Sequence, residues 1–118
     1  MDMFEWNKER YPFNILNADT MKTFGDAEKV LWDGLTEYEN ENATEGKLTA
    51  DGIVAECGMI DTFFDTLFGA GVSGTMFPEK HDMGARVKAV KKLYRLRGEQ
   101  LSSHAKNVDD IQKLVKGA

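Results

Sequence analysis

The run Ile60-Asp-Thr-Phe-Phe-Asp-Thr-Leu-Phe-Gly-Ala-Gly71 holds three of the seven phenylalanines and ends in a glycine turn. Burying one such apolar side chain stabilises a fold by roughly 1.5–3 kcal/mol. Phe63, Phe64, Leu67 and Phe68 therefore dictate where a core forms. Upstream, Ile53, Cys57, Ile60, Phe64 and Leu67 recur at three- and four-residue steps, which is the period of one helix face. Phe63 and Phe68 widen that face, and Asp61, Thr62, Asp65 and Thr66 fall opposite as a solvated side. Thr49 is placed to cap this helix and Asp51 to favour its N-terminal dipole. Gly69 stops it, in the left-handed conformation expected of a C-terminal glycine. Phe68 sits at the edge, beside the turn, where a partner could also read it.

The flanking segments read as further helices. Asn17 or Asp19 can cap a first helix to about Tyr38, with Phe24, Ala27, Leu31, Leu35 and Tyr38 on one face. Glu37 to Lys47 lacks periodicity and reads as a loop. Asp82 can cap a third main helix to about His104. Met83, Val87, Val90, Tyr94 and Leu101 line one side of it, and Lys88, Lys91, Lys92 and Arg95 the other. Asn107 with Asp110 resembles a capping box that would open a short last helix with Val108, Ile111, Leu114 and Val115. At the start, Tyr11 to Leu16 gives a weak strand signal, with Pro12 at an edge or a strand start. The expected fold is mainly α: a small domain of three main helices and a short C-terminal helix, with a short N-terminal β-strand or hairpin. Residues 1–10 form an N-terminal arm, loose or docked through Phe4 and Trp6, and residues 11–118 a single helical domain.

One hundred and eighteen residues suffice for one domain with a real core. The net charge of −5 argues against general nucleic-acid binding. Its distribution is uneven: residues 1–80 carry 16 acids and 6 bases, net −10, and residues 81–118 carry 4 acids and 9 bases, net +5. Either the two halves face each other within the fold, or they form a polar pair used in head-to-tail self-association or partner docking. No apolar run approaches the roughly 18 residues of a membrane span. The opening residues lack the basic and apolar regions of a signal peptide. The single cysteine, Cys57, excludes an intrachain disulfide and fits a reducing compartment.

Catalytic chemistry is not indicated. Gly69-Ala-Gly71-Val-Ser-Gly74 has the G-x-G-x-x-G spacing, but a helix precedes it where a dinucleotide site needs a strand. It reads as a turn. His81, with Glu79 and Asp82 beside it, and the distant His104 have neither metal-ligand spacing nor a nucleophile to serve. Asp61 and Asp65 lie one helical turn apart on the solvated face. No catalytic, cofactor or metal residue is expected. Two surfaces are candidates for partner binding. One is an apolar patch of Phe68, Val72, Met76 and Phe77 around the glycine loop, unless that loop folds back onto the core. The other is the basic face of Lys88, Lys91, Lys92 and Arg95.

The pattern Phe13-Asn-Ile-Leu-Asn-Ala-Asp19, then Cys57, then Phe64-Asp-Thr-Leu-Phe-Gly-Ala-Gly71, then Phe77 resembles a family of small proteins of phages and prophages of Gram-positive bacteria. Members of that family resemble tail-assembly chaperones or tail accessory proteins. The resemblance implies a non-enzymatic protein in the cytoplasm of the bacterial host. It would bind another phage tail protein, such as the tape measure; homo-oligomers are a separate expectation, from the charge asymmetry. The alternative reading from the residues is a small regulatory or nucleic-acid-binding module that uses the basic third helix.

Overall fold

A computed structural model describes residues 2–42 and 48–117. Two strands, β1 (Met3–Trp6) and β2 (Glu9–Pro12), form an antiparallel hairpin with Met3 opposite Pro12 and Trp6 opposite Glu9. Asn7 and Lys8 turn it with φ of 48° and 67°, the left-handed pair that a two-residue hairpin turn needs. Among the described residues, five helices follow: α1 (Ala18–Asn42), α2 (Ala50–Phe68), the one-turn α3 (Val72–Met76), α4 (Met83–Ser102) and α5 (His104–Val115). The chain is thus a small, mainly α domain with a short N-terminal hairpin.

The hairpin is part of the core. Phe4 is completely buried and stacks on Phe64 and Phe68, with ring centroids 6.2 and 5.7 Å away. Trp6 Nε1 and Asn7 Nδ2 both donate to the carbonyl of Met76, each at 2.9 Å. The boundary expected between residues 10 and 11 falls inside β2, and residues 1–10 take the docked form through Phe4 and Trp6. The strand expected over 11–16 is displaced: it runs Glu9–Pro12, and one further backbone bond, from the Phe13 N–H to the Asp2 carbonyl at 2.8 Å, follows it. Phe13 and Ile15 also pair with a side chain. Gln100 Nε2 donates to the Phe13 carbonyl and Gln100 Oε1 accepts from the Ile15 N–H, both at 2.8 Å.

Asn17 caps α1, its Oδ1 accepting from the Thr20 N–H at 3.1 Å. The helix runs to Asn42, past the expected end at Tyr38. Glu37–Asn42 lacks apolar periodicity because its side chains are mostly in water, yet the helix ladder continues there. Residues 43–47, the remainder of the expected loop, lie outside the described residues. Thr49 caps α2 as expected, accepting from the Gly52 N–H at 3.0 Å. Cys57, Ile60, Phe63 and Phe64 are buried, while Ile53 and Leu67 are half-buried. Gly69 ends α2 with φ 123° and ψ 150°, an extended positive-φ region open only to glycine. The left-handed turn comes two residues later, at Gly71, with φ 83°.

Asp61 and Asp65 are not the solvated carboxylates expected. Asp65 accepts from the Ser73 N–H at 2.8 Å and holds α3 against α2. Asp61 is the partner of Arg86, which is 2% exposed. Arg86 Nε and Nη2 donate to its two oxygens at 2.8 and 3.2 Å. The remaining guanidinium hydrogens go to the carbonyls of Glu79, Lys80 and Asp82, and the group lies 4.7 Å above the Phe77 ring.

This arrangement turns α4. Asp82 caps it, accepting from the Gly84 N–H at 3.1 Å. Its buried residues are Arg86, Ala89, Leu93 and Gln100, not the expected stripe of Met83, Val87, Val90, Tyr94 and Leu101, which lies half-buried on the flank. Two polar side chains sit on the inner face because each finds full hydrogen-bond partners there.

α1 and α4 run antiparallel: Phe24 meets Arg97 and Tyr94, and Glu28 meets Tyr94. α5 follows α4 across Ser103 alone, whose backbone is itself right-handed helical (φ −77°, ψ −14°). It starts at His104 without the side-chain cap expected at Asn107. Asp110 pairs instead with Lys106 at 2.8 Å. The run Met83–Val115 spans about 50 Å at 1.5 Å per residue, which accounts for much of the 63 Å long dimension.

Candidate functional site

The glycine-loop candidates are largely covered. Met76 and Phe77 are 1% and 3% exposed. Val72 and Phe68 are half-buried and pack against the core. Phe68 is stacked between Phe4 and Tyr11, 5.7 and 5.1 Å away. The loop folds back, and the hairpin closes over it. It therefore presents no apolar patch of the kind these four residues suggested.

The basic candidates keep their exposure: Lys88, Lys91, Lys92 and Arg95 all face solvent on α4. They are not equivalent. Lys92 Nζ donates to the Glu5 carbonyl of β1 and lies 5.9 Å from the Phe4 ring, so it fastens the hairpin to α4.

A different surface is open. Between α1 and α4 lies an open, largely apolar groove of about 500 Å³, lined by Gly25, Glu28, Lys29, Leu31, Trp32 and Leu35 of α1 and Tyr94 of α4. That is within the roughly 300–1,000 Å³ of sites that accept organic groups. Trp32 is 69% exposed. At the groove wall, the Tyr94 hydroxyl donates to Glu28 Oε2 at 2.6 Å. Burial, and then the Glu28 carboxylate, push the Tyr94 phenol well above its ordinary value, so it stays a neutral donor. A side chain at position 25 would meet no atom within 4 Å, so the glycine leaves that end of the groove open. Sequence periodicity passed over Trp32. Its signal was a large aromatic that falls off the Phe24–Ala27–Leu31–Leu35 stripe.

A second unpartnered surface is α5. Residues 102–117 are all exposed. Val108, Ile111, Leu114 and Val115 fall on one side at helical spacing, and Val115 is 80% exposed. The opposite side carries the ion pairs Lys106–Asp110 and Lys113–Asp109, at 2.8 and 3.0 Å. These exposed pairs contribute little. The division of faces is that of a helix made to lie against an apolar surface.

Cys57 is buried, and burial pushes its thiol up, away from the reactive thiolate. His81 and His104 are exposed and far apart in sequence. Among the described residues, no three histidine, cysteine, aspartate or glutamate side chains gather as metal ligands would. No described helix is long and apolar enough to cross a membrane.

Residues 7–116 match the model of a protein family described as a family of unknown function (DUF6673). No curated protein and no solved structure matches the chain.

Proposed function

The chain belongs to the DUF6673 family, and we propose that it is a non-enzymatic binding protein: a phage or prophage tail-assembly chaperone or tail accessory protein. It takes an apolar helical segment of another tail protein, such as the tape measure, and covers it until assembly. The tail assignment is supported by the resemblance carried by Phe64-Asp-Thr-Leu-Phe-Gly-Ala-Gly71. The binding mode is supported by one observation above others, the open groove beside the exposed Trp32. An amphipathic helix laid into an apolar groove is a common recognition mode, with anchors at three- and four-residue steps. An indole at the rim offers the large anchoring area that dominates such contacts. The site of action is the cytoplasm of the bacterial host.

Co-expression with the tail genes that neighbour its own is the test. A tail protein should co-purify or gain solubility, and Trp32→Asp should abolish this without changing the circular dichroism. If no tail protein responds, the reading fails.

One observation favours a second reading, a nucleic-acid-binding or regulatory module. Lys88, Lys91 and Arg95 stand exposed on one helix, with no ion pair to any described residue. Phosphate binding through them would weaken steeply with salt and with Lys91→Glu. Absence of a gel shift at low salt removes it.

A further inference from the structure

We propose that the basic face of α4 is a docking surface for a second copy of this chain, which lays the acidic C-terminal end of its α1 against it. This goes beyond the groove reading and uses neither Trp32 nor Tyr94.

The helix period builds the basic face. Lys88, Lys91 and Arg95 each stand two residues, or about 200° around the axis, beyond a buried residue of α4: Arg86, Ala89 and Leu93. They are therefore turned away from the core, and all three are exposed. No residue from Met83 to Gly98 is acidic. Lys92 is occupied by the Glu5 carbonyl, but the other three pair with no acid among the described residues.

The end of α1 is the converse. From Val30 to Asn42 it carries Asp33, Glu37, Glu39 and Glu41 and no base. Asp33 belongs to Lys29, and Glu39 turns towards Glu56 of α2. Glu37 and Glu41 are left, exposed and without a basic partner among the described residues. The C-terminal pole of a helix is itself negative, and no base in the last turn of α1 offsets it. Glu37 and Glu41 lie one turn apart, about 6 Å along the axis, and Lys91 and Arg95 repeat that step on α4. Two helix faces of opposite sign and equal pitch thus stand open on every copy, and no ion pair joins them within it. Fields of opposite sign steer one copy onto the next. The contact joins two different surfaces, so it propagates into a ring or an open chain. Exposed charge pairs are weak and screened by salt, so salt releases the assembly.

Light scattering or sedimentation of the full chain, freed of nucleic acid, tests this. Wild type should gain mass with concentration at low salt and return to monomer as salt rises. Lys91→Glu with Arg95→Glu reverses one surface, and Glu37→Lys with Glu41→Lys reverses the other. Each double variant alone should stay monomeric where wild type has associated. An equimolar mixture of the two should associate again, because each reversed surface meets its match on the other variant. Trp32→Ala should associate as wild type does. All these positions are exposed, and urea midpoints check that the variants fold; if a double variant does not, Arg95→Glu or Glu41→Lys alone takes its place. Five results overturn the proposal: wild type monomeric at low salt, association that salt does not reverse, a charge variant that still associates alone, a mixture that stays monomeric, or association lost in Trp32→Ala. A gel shift through Lys91 in a chain that stays monomeric also overturns it and gives the basic face to nucleic acid. Failure here, with a tail protein still captured, leaves the groove reading standing. Self-association without capture removes the tail reading and leaves this one.

Discussion

Arg86 of α4 grips both oxygens of Asp61 on α2, at 2.8 and 3.2 Å, from a position 2% exposed to solvent. This pair joins the two helices, and the same guanidinium gathers three carbonyls of the segment between α3 and α4. Removing one member of such a pair strands the other. Asp61→Ala should therefore cost about 3–5 kcal/mol in urea unfolding. Lys29→Ala, at an exposed i,i+4 pair with Asp33, should cost far less, because water screens that pair. Equal losses would show that the buried pair has no special standing.

Phe64 and Phe4 are both fully buried and face each other. Phe64→Ala should cost about 3–5 kcal/mol, and Phe4→Ala a comparable amount. A loss under about 1 kcal/mol for Phe4→Ala, by chemical denaturation, would mean that the hairpin is not part of the cooperative core.

Gln100 supplies both a donor and an acceptor to residues 13–15. Gln100→Met keeps the length and leaves two buried backbone groups unpaired, at about 1–3 kcal/mol each. Gln100→Glu places a carboxylate oxygen against the Phe13 carbonyl and should be at least as damaging near neutral pH. Differential scanning calorimetry of the two variants decides this.

Glu56 of α2 is 7% exposed. Burial first, and then the Glu39 carboxylate, raise it above its ordinary value. Its contribution is fully present below the unfolded-state value of about 4.3 and is lost as pH rises through the higher folded value. Stability should therefore fall as pH rises through that window, and Glu56→Gln should remove this part of the fall and raise stability at pH 7. Urea midpoints at pH 4 and pH 7 check the sign; a variant less stable than wild type at pH 7 would contradict it.

What could be read from the sequence follows from which residues obey the simple rule that apolar means inside. The α2 stripe of Cys57, Ile60, Phe63 and Phe64 obeys it, and the caps Thr49 and Asp82 carry their own local signals. The inner face of α4 does not. Arg86 and Gln100 are polar yet buried, because partners distant in sequence satisfy them, so periodicity put the face on Val87, Val90 and Tyr94. A short N-terminal strand or hairpin was legible, but its place at residues 3–12 was not, because its turn is Asn7-Lys8, without the glycine that usually announces one, and because Phe4 and Trp6 alternate with polar residues too briefly to show a pattern. The groove was hidden by the same rule in reverse, since Trp32 is apolar and outside.

The docking of the hairpin onto Phe64, Phe68 and the Met76 carbonyl sets an order of events during synthesis. Residues 3–12 leave the ribosome before the rest of this domain, yet Trp6 bonds a residue 70 positions later. At about 5–20 residues per second, several seconds pass before that partner exists. Through that interval Phe4 and Trp6 have nothing native to lie against. The hairpin is therefore made before the surface it docks on and is among the last parts of this domain to settle.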